Sequence, residues 1–370
     1  MPVQDRSAWI EVDLNAISKN ITAIQNFVGP QTHVMAVVKA NAYGHGLIEV
    51  SKAALQGGAN FLGVALPQEG QQLREAGIPS PILVLGPCLP SDAPTLIKNN
   101  LATVISHPKS LQELASIAKA QKTQARIHLK IDTGMGRVGC TVEDGLSLAH
   151  TITSDPHLHL EGVMSHVAYE NEQDHPKILD QINLFQSFLK QQKLPPIPYQ
   201  HLANSATTLQ FPQAHHNLVR VGLLTYGLPP VNTQLHQIPA LSLKAHITQI
   251  RNLQPGQTLS YGGTFTLKRA SRIALIPLGY ADGYSRGLSN RAQVLVQGQR
   301  CPVVGSICMD LTLIDVTDLP HVTLGDEVVL IGPSKDDRIT PQDLATWSET
   351  IVHEIIAQLS TRLPRRYLPT

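Results

Sequence analysis

From residue 33 to residue 222 the sequence repeats one theme: a short β-rich run, a stretch with apolar residues three and four apart, then another β-rich run. The β-rich runs are HVMAVVK (33–39), NFLGVAL (60–66), PILVLG (81–86), LATVIS (101–106), ARIHLKID (125–132), LHLEGVMSH (158–166), YQHLAN (199–204) and NLVRVG (217–222). Between them GLIEVSKAALQGG, PQEGQQLREAG, SLQELASIAKAQ and HPKILDQINLFQSFLKQQ read as helices. The second opens at Pro67 and stops at Gly77, where start and stop signals belong. Eight strands alternating with helices is the count of a closed (β/α)8 barrel of the TIM type. An open doubly wound sheet also alternates, but usually with fewer strands and often with a G-x-G-x-x-G turn after the first. The turn here is KANAYGHG, which does not match. The expected fold class is therefore α/β, with the barrel over residues 10–235.

After about residue 235 the texture changes. ALSLKAHITQIRNL, SRIALIPLGYADG, AQVLVQGQRCPVVG, CMDLTLIDV and DEVVLIG are β-rich segments broken by Gly, Pro and Asn. A mainly β domain is expected over 236–370, joined to the barrel through GLPPVNTQLHQIP and closed by a helix near DLATWSETIVHEIIAQLS that Thr340 and Pro341 open. The first dozen residues also alternate and are expected to pair with this domain.

Composition narrows the functional classes. Apolar residues make up 42% of the 370 and charged ones 15%, a globular composition with a large core. The net charge is +1 without a dense run of Lys or Arg, which argues against a nucleic-acid partner. No apolar stretch is long enough to span a bilayer, and the N-terminus shows no apolar segment of a signal peptide. The four cysteines form no C-x-x-C pair and read as reduced thiols of a cytoplasmic protein, and the sixteen histidines are scattered, so no metal site is expected.

In such a barrel the chemistry sits at the carboxyl ends of the strands. Lys39 ends the first and Arg137 follows the fifth. His166 ends the sixth, HLANSATT covers the end of the seventh, and Arg220, Gly222 and Leu223 end the eighth. Each residue alone fits an ordinary role, such as a surface lysine or a core histidine, but independent charges need not all fall at strand ends. A lysine among cations and apolar walls has a depressed pKa, and its free amine can form a Schiff base with an aldehyde. The aldehyde this points to is pyridoxal 5'-phosphate. Asn204, Ser205, Gly222 and Leu223 stand where barrels commonly bind phosphate.

At these residues the sequence resembles the alanine racemase family. AVVKANAYGHG, KIDTGMGRVG, MSHVA, HLANSAT, LVRVGLLTYG, LSYGGTF, LGYADGY and VGSICMD match its motifs in order, from near residue 10 to past residue 360. The resemblance implies a pyridoxal-phosphate barrel, a C-terminal β-domain, and a homodimer with composite active sites. It implies a two-base interconversion of L- and D-alanine that supplies D-alanine for peptidoglycan. Lys39 would hold the cofactor and act as one base, and Tyr261 of the partner would be the other. Arg137 would grip the substrate carboxylate with the backbone of Met309. His166 would lie beside the cofactor ring and link Tyr261 to Arg220. Arg220 would meet the pyridine nitrogen, with His201 behind it. Tyr43, Ser205, Gly222 and Leu223 would bind phosphate. Lys130 matches a lysine that can be carbamylated, and Tyr280 one that guards the entrance. Thr361 stands where some members carry a phosphate-binding tyrosine.

The chemistry wants these residue types. Racemisation removes the α-proton from one face and returns one to the other, which two bases on opposite faces achieve; one base could serve only if it crossed the plane or exchanged its proton. A tyrosine serves only if its pKa falls well below about 10, which a nearby cation favours. An arginine cannot accept a proton, so it would leave the pyridine nitrogen unprotonated and limit escape into transamination. The residues leave two other readings open: a racemase or decarboxylase acting on another amino acid, and a barrel that only stores the cofactor.

Overall fold

The computed structural model describes residues 6–169, 172–191 and 196–368. Gln192, at the end of one expected helix, and residues 1–5 of the N-terminal segment lie outside these. The chain divides into two compact units, one of Asn15–Ala42 and Leu47–Pro239, the other of Met1–Leu14, Tyr43–Gly46 and Ala240–Thr370. The first strand, β1 (Ala8–Asp13), falls in the second of these.

The eight β-rich runs form β2 (His33–Val37), β3 (Phe61–Val64), β4 (Ile82–Pro87), β5 (Ala102–Ile105), β6 (Ala125–Lys130), β7 (Leu158–Met164), β8 (Tyr199–His201) and β9 (Leu218–Val221). They make one parallel sheet in the order β8-β7-β6-β5-β4-β3-β2-β9, a nearly closed barrel. Parallel neighbours need long crossovers. Helices α1 (Leu14–Val28), α2 (Leu47–Gln56), α3 (Pro67–Glu75), α4 (Ala93–Lys98), α5 (Pro108–Ala120), α6 (Val142–Ser154), α7 (His175–Gln191) and α8 (Ser205–Gln210) supply them or flank them. The longer ones bury an apolar stripe; α1 buries Ala16, Ile17, Ile21 and Ile24 at spacings of one, four and three.

The open seam between β8 and β9 is sutured by other groups. The Arg220 N–H donates to the Ala203 carbonyl at 3.0 Å. The Gln200 N–H donates to Asn217 Oδ1 at 2.8 Å. Inside the barrel Met35, Phe61, Leu83, Ala102, Val104, Met164 and Leu218 pack as one cluster. Burying a large apolar side chain of this kind contributes roughly 1.5–3 kcal/mol.

The other unit is built on antiparallel pairing. Its strands are β10 (Leu241–His246), β11 (Gln249–Leu253), β12 (Thr258–Leu259), β13 (Phe265–Thr266), β14 (Ser271–Ile276), β15 (Gln293–Val296), β16 (Gln299–Pro302), β17 (Thr312–Asp315), β18 (Glu327–Ser334), β19 (Asp337–Ile339) and β20 (Arg365–Leu368). The largest sheet runs β16-β15-β18-β10-β1-β20, with β1 antiparallel to β10 and parallel to β20. The chain's first described strand is thus held by its last. The closing helix is two helices, α9 (Pro341–Trp347) and α10 (Val352–Ala357). Thr340 opens α9: its Oγ1 accepts the Asp343 N–H at 3.1 Å, and the Asp343 carboxylate accepts the Thr340 N–H at 2.7 Å. Glu349 ends the turn in the left-handed region (φ 57°), which stops the single helix expected from the apolar spacing.

Candidate active site

β2 delivers Lys39 into a turn that local propensity opposes. Ala40, Asn41, Ala42 and Tyr43 have φ of 52°, 54°, 51° and 51°, a left-handed run. Only Asn visits that region readily; for the others it costs roughly 1–2 kcal/mol each. Tertiary bonds hold it. Glu69 Oε1 accepts the Ala40 N–H at 2.6 Å, while Oε2 accepts the N–H groups of Ala65 (2.7 Å) and Leu66 (3.1 Å). Asn41 Oδ1 accepts the Leu47 N–H at 2.9 Å. The Lys39 amine is half-buried, and its pKa is lowered by burial and then by the Arg137 guanidinium, against the Glu69 carboxylate.

Lys130, at the end of β6, is 5% exposed. Burial, then Arg220 and Arg137, push its amine down to about 8. The nearby Asp132 opposes this, but its carboxylate is occupied by the loop it starts. It accepts the N–H groups of Gly134 (2.9 Å), Met135 (2.8 Å) and Gly136 (2.9 Å), which shapes the segment carrying the exposed Arg137.

Arg220 on β9 is buried at the centre of the rim. Nη2 donates to the carbonyls of Ser165 (2.8 Å) and Leu202 (3.0 Å) and faces His166 Nδ1 at 3.1 Å. Nη1 faces His201 Nδ1 at 2.9 Å. A guanidinium only donates, so both histidines accept through Nδ1 and are neutral. Burial and then Arg220 hold His166 and His201 well below the usual histidine range. Burial pushes Arg220 itself down to about 9, which leaves it charged at neutral pH.

Beside it Asn204 caps α8, its Oδ1 accepting the Thr207 N–H at 2.9 Å. Ser205 Oγ accepts the Gly222 N–H at 3.0 Å and the Leu224 N–H at 3.5 Å. Leu223 opens a short 3-10 turn to Tyr226, whose hydroxyl is tied to the Val37 carbonyl at 2.9 Å. Lys39, Lys130, Arg137, His166, Asn204, Ser205, Arg220, Gly222 and Leu223 therefore all belong to the barrel unit. Lys39, Lys130, Arg137 and Arg220 each act electrostatically on His166.

The second unit carries Tyr43, Tyr261, Tyr280 and Met309. Tyr43 is buried with its ring 5.9 Å from that of His353, and burial raises its hydroxyl to about 12. Arg365 fixes the following residue, donating to the Gly44 carbonyl through Nε (3.1 Å) and Nη2 (3.0 Å). Tyr261 sits in a loop after Ser260, which has φ 60°. The Ser260 hydroxyl donates to the Ser306 carbonyl at 2.5 Å, and the Ser306 hydroxyl donates to the Tyr261 carbonyl at 3.0 Å. The Tyr280 and Ala281 N–H groups donate to the carbonyls of Cys308 (3.1 Å) and Met309 (3.0 Å). Buried Asp282 anchors this second loop, paired with Arg6 at 2.6 Å and accepting the Gly279 N–H at 3.1 Å. Three backbone loops are zipped together while their large side chains stay out: Tyr261 is 77% exposed, Met309 54% and Tyr280 42%. Thr361 is exposed in a turn.

The sequence reading missed Glu69, Arg126, His128 and Glu161. Glu69 reads as a helix first-turn acid, and nothing local marks its second task. The other three could have been suspected. In β6 Arg126, His128 and Lys130 alternate with Ile127 and Leu129, so three basic residues share one strand face. In an apolar barrel Arg126 requires an anion, and Glu161 on β7, which also faces His128, is that anion.

Fold and rim together define a class: a (β/α)8-barrel enzyme with a half-buried lysine after its first barrel strand and a β-rich unit appended. The profile described as "Alanine racemase, N-terminal domain" matches residues 12–230, and "Alanine racemase, C-terminal domain" matches 240–367. The alanine racemase of Halothermothrix orenii is 39% identical over 367 residues, covering 98% of this chain and 97% of that protein. That of Nostoc sp. is 39% identical over 366 residues, covering 97% and 95%. The crystal structure of alanine racemase from E. faecalis superposes with a TM-score of 0.94 at 33% identity, covering 100% of both chains. The Bacillus anthracis enzyme with bound L-Ala-P gives 0.92 at 37%, covering 99% and 96%. This chain belongs to the alanine racemase family and is an isomerase of that kind.

Proposed function

We propose that the chain interconverts L-alanine and D-alanine, with pyridoxal 5'-phosphate held covalently by Lys39 and with Tyr261 of a second copy as the opposing base. The single observation that carries this reading is the Lys39 amine, half-buried among cations at the barrel mouth with its pKa lowered. The donor set beside it fits the cofactor. An amine suits the aldehyde; the Ser205 hydroxyl, whose oxygen accepts the Gly222 N–H, and the Leu223 N–H suit a phosphate, with Asn204 fixing the start of α8. A phosphate role for the Tyr43 hydroxyl of the second unit is part of the proposal. The buried Arg220 guanidinium, whose hydrogen-bond partners are two carbonyls and two imidazoles, suits a ring nitrogen that accepts.

When bound, the cofactor supplies an electron sink for the charge left when the α-proton departs. The remaining work falls to side chains. Lys39 Nζ, its pKa lowered by burial and then Arg137, handles the proton on one face. The Tyr261 hydroxyl handles it on the other. Arg137 and the Met309 backbone N–H orient the substrate carboxylate. Arg220 donates and cannot accept, so it leaves the ring nitrogen unprotonated. His166, accepting from Arg220 through Nδ1, has its Nε2–H left to orient the Tyr261 oxygen. Lys130, with its amine near 8, has a neutral fraction at neutral pH that carbon dioxide can carbamylate. The exposed Tyr261, Tyr280 and Met309 support a homodimer with composite sites. No helix among the described residues is long and apolar enough to cross a membrane. A cytoplasmic enzyme supplying D-alanine for peptidoglycan is consistent with this.

Polarimetry tests the activity: the rotation of an L-alanine solution should decay to zero. Borohydride reduction of the yellow protein followed by peptide mapping should place the label on Lys39. A constant rotation, or label on another lysine, overturns the reading.

A further inference from the structure

The buried polar side chains inside the barrel do not end at Arg220. Behind it, His201 Nε2 lies 2.7 Å from His128 Nδ1. The other nitrogen of His128 lies 3.4 Å from Glu161 Oε2, at ion-pair distance, and makes no hydrogen bond among the described residues. Glu161 is clamped by Arg126, through Nη2 to Oε1 at 2.5 Å and Nε to Oε2 at 3.1 Å. His128 and His201 are fully buried, and Glu161 is 7% exposed. The chain Arg126–Glu161–His128–His201–Arg220–His166 thus runs from the start of β6 to the catalytic rim.

Its two ends are chemically one-sided. Arg220 can only donate, so His201 accepts on Nδ1 and carries its proton on Nε2. That proton is then donated to His128 Nδ1, which leaves the His128 proton on Nε2, facing Glu161. Glu161 can only accept while ionised. Burial alone would raise its pKa, but the neighbouring His128 and the clamping Arg126 guanidinium bring it down to about 2. Both ends therefore impose the same direction on every proton between them. We infer that Glu161 and His128 are positioning residues for Arg220: they fix the tautomer of His201, and through it the orientation in which Arg220 presents its remaining N–H groups at the rim.

The backbone is shaped for this. β6 and β7 pair with Ile127 opposite Leu160 and His128 opposite Gly162, so Glu161 is the extra residue of a bulge. A bulge re-aims a side chain that regular pairing would direct elsewhere. Gly162 is needed in the same place, because a Cβ there would lie 2.4 Å from His128 Nδ1. Two departures from regular strand structure converge on one histidine–carboxylate contact.

The catalytic consequence rests on the proposed contact between Arg220 and the cofactor ring; the tautomer assignment does not. The test is the 15N spectrum of the full-length protein labelled in histidine, with and without pyridoxal phosphate, assigned with His128→Gln. His128 and His201 should each show one protonated nitrogen, Nε2, at neutral pH. An Nδ1–H tautomer or an imidazolium at either residue overturns the inference without any variant at position 161. Glu161→Gln should mix the tautomers, shift the absorption band of the bound cofactor, and lower kcat about tenfold with KM changed less than about twofold. Glu161→Asp should restore part of each. A Glu161→Gln protein with wild-type kcat and absorption overturns the positioning role. If pyridoxal phosphate fails to bind the wild-type protein at all, the proposed function fails while the histidine spectra still decide the chain.

Discussion

The barrel rim and the loops of the β-rich unit solve the same problem in opposite ways. At the rim the functional side chains themselves are held: Arg220 makes four contacts inside protein, with buried Lys130 and half-buried His166 acting on it electrostatically or by contact. In the other unit the backbone is held and the side chains are not. Ser260, Ser306 and Asp282 fix the loops, yet Tyr261, Met309 and Tyr280 stay largely in water. A rim finished by its own packing needs nothing further to keep its geometry. Loops that fix only their backbone expose adjoining large side chains, as surfaces that another molecule covers do.

Four measurements break or sharpen that contrast. The largest effect is expected from Lys39→Ala, which should cut kcat/KM by about four orders of magnitude or more and abolish borohydride-fixed cofactor. Tyr261→Phe should lower kcat by about 10²–10⁴-fold. Because the ring is exposed, the unfolding free energy should move by less than about 0.5 kcal/mol. A matching stability loss would show that this side chain is held in the folded monomer after all.

Lys130 gives a pH signature specific to the buried rim. Its folded pKa, about 8, lies below its ordinary value of 10.5, so the unfolded chain binds the extra proton between those values. Stability should therefore rise as pH goes from about 8 to 10.5, fall back over the same range as pH is lowered, and be flat below about 8; denaturant titrations of wild type and Lys130→Met should differ in this slope. The smallest effect is expected at Ser306→Ala, which removes the 3.0 Å bond to the Tyr261 carbonyl. It should cost about 1 kcal/mol of stability and lower kcat more than it raises KM.

Much of the barrel was legible because each unit switches its hydrophobic period from 2 to 3.6 and back. That signal is local. It located all eight strands to within a few residues and put Lys39 and Arg220 at strand ends. The helix near the C-terminus was read as continuous because apolar spacing says nothing about Glu349 adopting a left-handed turn. His128 and Glu161 were passed over for a different reason. They are 33 residues apart in the chain, and their meeting depends on a bulge that no propensity announces.

The chain's own order of residues determined the alternation, the strand ends and the motif set that carries family membership. These follow from side-chain period and turn chemistry within a few residues of each position. Tertiary structure alone decided the left-handed run after Lys39 and the proton direction behind Arg220. Four side-chain-bearing residues at positive φ are unfavourable in isolation, and Glu69, distant in sequence, holds that run. An imidazole has no preferred tautomer strong enough to matter until a donor-only and an acceptor-only group are fixed at its two ends.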